Sequence, residues 1–298
     1  MSSLAPTSLQ PLLGASLFEA IGRRQPKLPT LFDWSEEALL EASQGRSLPV
    51  LLKGCGQGWP SHHRWELPFF RETLGHLPVQ TNFYSGRRPA QTSLGQLVDQ
   101  VLEPQEEPIY LQEWWYELDA PQLIDDFEIP ACFARDFSLQ SLGYRNSHLW
   151  IGSAGATTPI HQDEAHSDFW SYQVNGTKRW LLMHPDTRVS LRSDGQVDLE
   201  RWQEEWRHLT WTLCMNAGDV LYVPDRWWHA AQALCPNVTL RNVHVWPDQS
   251  GQYFRDIISV PMKLALRSEA LRNENPILFD QLQALCKRLQ SLLARPFN

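Results

Sequence analysis

The apolar positions of this 298-residue chain change period part-way along it. Over the first third they recur at helical spacing or in short runs. Ser35 is placed to cap a helix running to Gly45, with Glu36 and Glu37 in its first turn, where carboxylates oppose the positive helix end. Leu48-Pro49-Val50-Leu51-Leu52 reads as a buried strand. Residues 65–75 and 93–102 carry helical apolar stripes, and 79–84 is strand-like. From about Ile109 the period becomes two. Short strands are expected at 109–112, 148–151, 158–163, 169–174, 177–183, 210–215, 220–223, 230–234 and 238–246, with an inserted helix at 198–209 carrying Trp202 and Trp206 on one face. After Trp246 the pattern is helical again. Asn275 can cap, Pro276 suits the first helical position, and Leu278, Leu282, Leu285, Leu289 and Leu292 form a seam at four-three spacing. Such a stripe must be covered, by the chain's own core or by a second copy in a homodimer.

This organisation predicts a mainly β fold with flanking helices, whose core is a small barrel or two-sheet jelly roll with its ligand inside. The expected segments are an irregular lead-in over 1–30, α/β elements packed on the barrel over 31–107, the β core over 108–247, and helices over 248–298. Asn175-Gly176 is expected to form a two-residue type I′ hairpin turn. In that register Gln173 opposes Lys178, and opposed residues share a face, so Phe169, Ser171, Gln173, Lys178 and Trp180 fall on one side. If that side is the interior, Lys178 is a buried cation in need of an anionic partner. If it is the exterior, Lys178 is an ordinary solvated lysine. The aromatic company favours the interior.

The candidate chemistry sits in the same region. His161-Gln162-Asp163 places two potential ligands two residues apart on a strand, and therefore on one side. His229, downstream of the segment Gly218-Asp219-Val220-Leu221-Tyr222-Val223-Pro224, can complete the set from another strand. Two imidazoles and a carboxylate suit ferrous iron bound on one face, with the opposite positions open to a co-substrate and dioxygen. His244 and Asn242 alternate together on the last strand and are expected to face the cavity. His62, His63, His76 and His208 read as surface residues, His184 as structural, and His148 and His166 are open between the two roles.

Composition narrows the function classes. A net charge of -8 gives a phosphate backbone no global electrostatic reason to bind. No apolar run is long enough to span a membrane, and Met1-Ser2-Ser3-Leu4 does not start a signal peptide. The five cysteines are scattered without C-x-x-C spacing, which points to small buried thiols in a reducing cytoplasm.

The segment from Trp150 through Thr157-Thr158-Pro159-Ile160-His161-Gln162-Asp163-Glu164 resembles the iron-binding strand of the Jumonji C, or cupin-like, oxygenases, and is most similar to the asparaginyl-hydroxylase subgroup. Gln173 to Trp180 resembles the family's lysine-bearing segment, Asp219 to His229 its distal histidine segment, and Pro108 to Gln112 its tyrosine-bearing strand. The resemblance implies a double-stranded β-helix core. It implies that His161, Asp163 and His229 bind Fe(II), that Lys178, Tyr110 and Thr158 hold the distal carboxylate of 2-oxoglutarate, and that Asn242 approaches the iron-bound end. Gln112, His244 and Trp228 are the candidate substrate contacts. The implied reaction uses dioxygen, decarboxylates 2-oxoglutarate to succinate and hydroxylates an unactivated C–H bond, here of a protein or peptide side chain. A small metabolite or RNA base is the alternative substrate. A non-enzymatic metal-binding cupin, or a zinc hydrolase or isomerase, has no use for a dicarboxylate pocket. Histone demethylation is disfavoured because no chromatin-reading zinc module or basic tail is evident.

Overall fold

The computed structural model describes residues 27–81, 91–104, 106–143, 145–163, 165–188 and 209–256. The lead-in, nearly all of the inserted helix expected at 198–209, and the leucine seam with its homodimer lie outside these residues.

The N-terminal part runs β1 (Thr30–Leu31), α1 (Glu36–Ala42), β2 (Val50–Leu52), α2 (Pro60–Arg64), α3 (Leu67–Leu74), β3 (Pro78–Gln80), β4 (Gln91–Ser93) and α4 (Leu94–Leu102). Ser35 caps α1 by accepting from the Ala38 amide, and α4 opens with a reciprocal capping box between Ser93 and Gln96. β5 (Tyr110–Trp114), α5 (Tyr116–Asp119), two 3-10 turns and α6 (Phe137–Leu142) lead into the core strands β6 (Ser147–Gly152), β7 (Thr157–His161), β8 (Asp168–Asn175), β9 (Thr177–Met183), β10 (Thr210–Asn216), β11 (Val220–Val223), β12 (Trp228–Ala233) and β13 (Asn237–His244).

Two sheets form the core, ordered β1-β2-β11-β8-β13-β6-β5 and β10-β9-β12-β7. Successive strands β6 to β9 alternate between the sheets, and so do β10 to β13, so that, β9 and β10 apart, neighbours within a sheet among these strands are not consecutive in sequence. That nesting is a double-stranded β-helix, the jelly-roll core expected from the sequence. The larger sheet has a period-two division of labour. Leu149, Ile151, Trp170, Tyr172, Val220, Tyr222, Val238 and Leu240 face outward into the main apolar cluster with the N-terminal helices. Phe169, Leu221 and Val223 face inward, where they meet Trp180, Leu182, Trp211 and Trp227 in a second cluster.

The Asn175-Gly176 hairpin is corrected by this topology. β8 and β9 do not pair with each other. β8 pairs with β11 and β13, and β9 with β10 and β12. Gly176, with φ of 79°, turns the chain from one sheet into the other. The expected common side nevertheless survives, because β8 and β9 face each other across the interior. Phe169 and Trp180 meet there with ring centroids 6.3 Å apart. A dipeptide favouring positive φ is compatible with a corner as well as a hairpin, and the neighbouring strands decide between them.

A Cβ at position 176 would lie 2.5 Å from the Pro236 carbonyl oxygen, in addition to the strain of positive φ. Gly176→Ala should therefore destabilise the protein by about 1–3 kcal/mol. A urea-unfolding midpoint unchanged from the wild type would contradict this role for the corner.

Candidate metal centre

β7 and β12 run antiparallel, and His161 and His229 are direct partners in their ladder. The register slips between this pair and Thr158–Ala231, leaving an extra residue on β7 around Pro159, which cannot donate to the ladder. The bulge turns the end of β7 toward β12. Gln162 donates to the Arg226 carbonyl and holds the following residues there. Asp163 lies just past the strand end.

The ring hydrogen bonds settle the tautomers. His161 Nδ1 lies 2.8 Å from the Pro159 carbonyl oxygen, and His229 Nδ1 lies 2.9 Å from that of Trp227. A carbonyl only accepts, so both Nδ1 atoms donate and both Nε2 lone pairs are free. These lone-pair atoms lie 3.6 and 3.7 Å from the same carboxylate oxygen, Asp163 Oδ1. The three ligand atoms fall within 4.8 Å of one another, a spacing that one divalent ion can bridge. Burial, reinforced by His161, pulls the His229 pKa down to about 3 and keeps that ring neutral. Burial opposes ionisation of Asp163, but Arg241 and the two imidazoles outweigh it and hold the carboxyl at about 2. The donor set is therefore two imidazoles that offer Nε2 and one carboxylate, the set that suits a ferrous ion.

Next to these groups lies a polar chain. Lys178 on β9 is buried and donates to the Tyr110 hydroxyl at 3.0 Å. Tyr110 is joined by a hydrogen bond to Thr158, and Gln112 donates to the Thr158 hydroxyl at 3.3 Å. Burial raises the Tyr110 pKa and pulls Lys178 down to about 7. Burial is the cause of that fall, and among the described residues no carboxylate forms an ion pair with Lys178. Tyr110, Trp150, Ala156 and Ala233 form a small apolar cluster at this end of the interior.

Three other sequence expectations are corrected. Asn242 and His244 share the outer face of β13 with Leu240. Asn242 donates to the Arg145 carbonyl, and His244 packs against Phe133 and Trp246 beside Asp136. Trp228 precedes His229 and so takes the opposite face of β12. In each case strand alternation directs the side chain away from the triad. Asp219, from the motif before His229, has a local role, receiving Lys53, the Gly54 amide and the Asn216 amide at a tight turn.

The inner face of β13 belongs to Thr239 and Arg241. Thr239 donates to Gln173 on β8. Arg241 donates to Asp163 Oδ2, and its guanidinium lies 4.1 Å from the Phe169 ring centroid. Sequence reasoning passed over Arg241. The outward apolar pair Val238 and Leu240 carried the signal, because alternation then places 239 and 241 inside.

The cupin-like domain family matches residues 36–250. The chain belongs to the cupin-like domain family. It is 27% identical over 199 residues to the Arabidopsis thaliana protein named arginine-specific demethylase JMJ22, covering 61% of this chain and 38% of that one. It is 26% identical over 226 residues to lysine-specific demethylase JMJ21 of the same plant, covering 68% and 24%. It is 25% identical over 238 residues to the Caenorhabditis briggsae bifunctional arginine demethylase and lysyl-hydroxylase psr-1, covering 67% and 58%. The chain thus spans less than two thirds of each of these relatives. The matched region of this cupin-like chain contains both sheets apart from β1, together with the triad and Lys178.

Replacing His229 with Ala should weaken divalent-ion binding by more than about 100-fold, since changes in outer-shell partners alone cost about 10–100-fold. Titration of the metal-free protein with Co(II), followed by tryptophan quenching, measures it. An unchanged Co(II) affinity would remove His229 from the site.

Proposed function

We propose that this chain is an Fe(II)- and 2-oxoglutarate-dependent oxygenase that hydroxylates a C–H bond of a protein side chain. The observation that carries the reading is the pairing of an open His161–Asp163–His229 donor set with a buried lysine that lacks an internal counter-charge. A structural metal clip needs the first feature and has no use for the second. Leaving an ammonium buried and unbalanced is costly, and the carboxylate of a small dianion would offset that cost.

Iron and 2-oxoglutarate, when bound, would supply dioxygen activation coupled to decarboxylation. The remaining work belongs to the chain. His161 Nε2, His229 Nε2 and Asp163 Oδ1 hold the ion from one side. Lys178 Nζ and the Tyr110 hydroxyl, steadied by Thr158, receive the far carboxylate and set the orientation of the co-substrate. Phe169, Trp180, Leu182 and Trp211 line the interior and exclude water. Relatives named for acting on arginine or lysine residues support a protein substrate. The resemblance to the asparaginyl-hydroxylase subgroup rests on the sequence segments alone. Of the described elements, no helix is long and apolar enough to cross a membrane. Among the described residues four cysteines are unpaired, which suits a reducing cytoplasmic setting.

The direct test is succinate formation by the purified protein with Fe(II), 2-oxoglutarate and oxygen, followed by a search of an exposed host proteome for a gain of one oxygen. No succinate above a His161→Ala control would refute the reading. Lys178 gives a sharper check. In the free protein its pKa lies near 7, below the ordinary 10.5, so the amine is mainly neutral at about pH 8. Charge pairing with a bound carboxylate restores the proton. Binding of 2-oxoglutarate at about pH 8 should therefore take up close to one proton, falling toward zero below about pH 6. Calorimetry in buffers of different ionisation enthalpy reads this directly. Lys178→Ala should abolish the uptake and weaken 2-oxoglutarate by about ten- to a hundred-fold.

A further inference from the structure

Arg241 and His148 are partners across the β13–β6 ladder. Leu240 and Leu149 take the outer face of these strands, so Arg241 and His148 take the inner one. Each carries a buried nitrogen with no hydrogen-bond partner, Arg241 Nε and His148 Nε2. His148 is 8% exposed. On its surface side lies Trp115, half-exposed, with ring centroids 4.6 Å apart. At the other end, Arg241 holds Asp163 Oδ2, the oxygen that the two imidazoles leave alone. A line of contacts therefore leads from the metal-site carboxylate through Arg241 and His148 to the protein surface at Trp115.

The chemistry along this line is one-sided. Arg241 Nε bears a hydrogen and cannot accept. His148 is neutral, its pKa pulled down to about 4 by burial and by the charge of Arg241, and in one tautomer its unpartnered Nε2 carries a hydrogen and is a second donor. A buried donor left unsatisfied costs about 1–3 kcal/mol, so an incoming oxygen acceptor is favoured twice over. The charges agree. Arg241 balances Asp163, so these described residues offer no surplus negative charge. A methylated ammonium or guanidinium side chain, as handled by relatives named as demethylases, would meet a fixed cation here.

We propose that Arg241, His148 and Trp115 form a substrate subsite that takes an anionic, carboxylate-bearing side chain and rejects a methylated cationic one. Arg241 and His148 donate to the carboxylate, and the Trp115 ring covers the adjoining apolar stem. The inference rests on the oxygenase reading above, and it gives this chain a side-chain preference opposite in charge to a methylated arginine or lysine.

Two labelled peptides, identical except for a central glutamate or dimethyl-lysine, test it by fluorescence anisotropy. Each is titrated onto metal-free protein and onto protein loaded with Zn(II) and 2-oxoglutarate, where no turnover occurs. The glutamate peptide should bind tighter by about ten-fold or more, the scale of one charge-assisted hydrogen bond. Arg241→Met should bring the ratio toward one, and Arg241→Lys should retain the preference. Trp115→Ala, at a half-exposed position that does not endanger folding, should weaken the glutamate peptide. Equal affinities in the wild type, tighter binding of dimethyl-lysine, no saturable binding of the glutamate peptide, or an unchanged ratio in folded Arg241→Met each overturns the proposal. If Arg241→Met does not fold, His148→Phe replaces it, and an unchanged glutamate affinity there overturns the proposal equally. Zn(II) and 2-oxoglutarate binding are measured separately. Their failure counts against the oxygenase reading, whereas a failed peptide ratio with both bound counts against the subsite alone.

Discussion

His161 and His229 are far apart in sequence and opposite each other in one antiparallel ladder. The centre depends on that single pairing. It brings two imidazoles together from two strands, and each ring is locked by a hydrogen bond to a carbonyl two residues earlier on its own chain. The ring orientations are thus set by local backbone, and their distance by the sheet. Because side chains alternate with period two, a slip of one residue between β7 and β12 would send one histidine to the outside and dissolve the site. The bulge beside Pro159 and the grip of Gln162 on the Arg226 carbonyl guard against such a slip.

The second constraint is the facing of the two sheets. Within β6 to β9, and again within β10 to β13, consecutive strands belong to opposite sheets, so residues can meet across the interior from strands that do not pair with each other. Lys178 reaches Tyr110, and Phe169 meets Trp180, by this route. The same arrangement brings two kinds of polar group into the interior. Asp163 stands with Arg241 at one end, and a lysine stripped of water stands at the other. On the proposed oxygenase reading, an internal carboxylate beside Lys178 would have stabilised the empty protein and removed its reason to bind an anion. Binding capacity and stability pull against each other at such a position.

The outer face of the larger sheet explains why so many tryptophans and tyrosines crowd this chain. Trp59, Trp65, Trp170 and Tyr172 fill the space under the N-terminal helices, and Trp170 stacks on Phe133 at 5.7 Å. Asp168 ties that layer together by accepting from Tyr222, Trp246 and Gln249. A rigid outer layer keeps the inner face in register, so the aromatic mass serves the site without touching it.

Much of this was legible in the sequence. Period-two alternation marked the core strands, capping residues marked α1 and α4, and the spacing of His161 and Asp163 with a distant His229 marked the triad. Each of these signals is local, or combines local signals with ligand chemistry. What the sequence left open was non-local. Asn175-Gly176 carries the same preference for positive φ in a hairpin and in a corner between sheets, and only the partners of β8 and β9 distinguish them. Asn242, His244 and Trp228 are polar or aromatic residues on the right strands, yet they face outward, because the face is set by which neighbours are buried beneath it. Arg241 was hidden for the converse reason. An arginine inside a β core looks like an exception until Asp163, 78 residues away, is brought to meet it, and only tertiary structure supplies that partner.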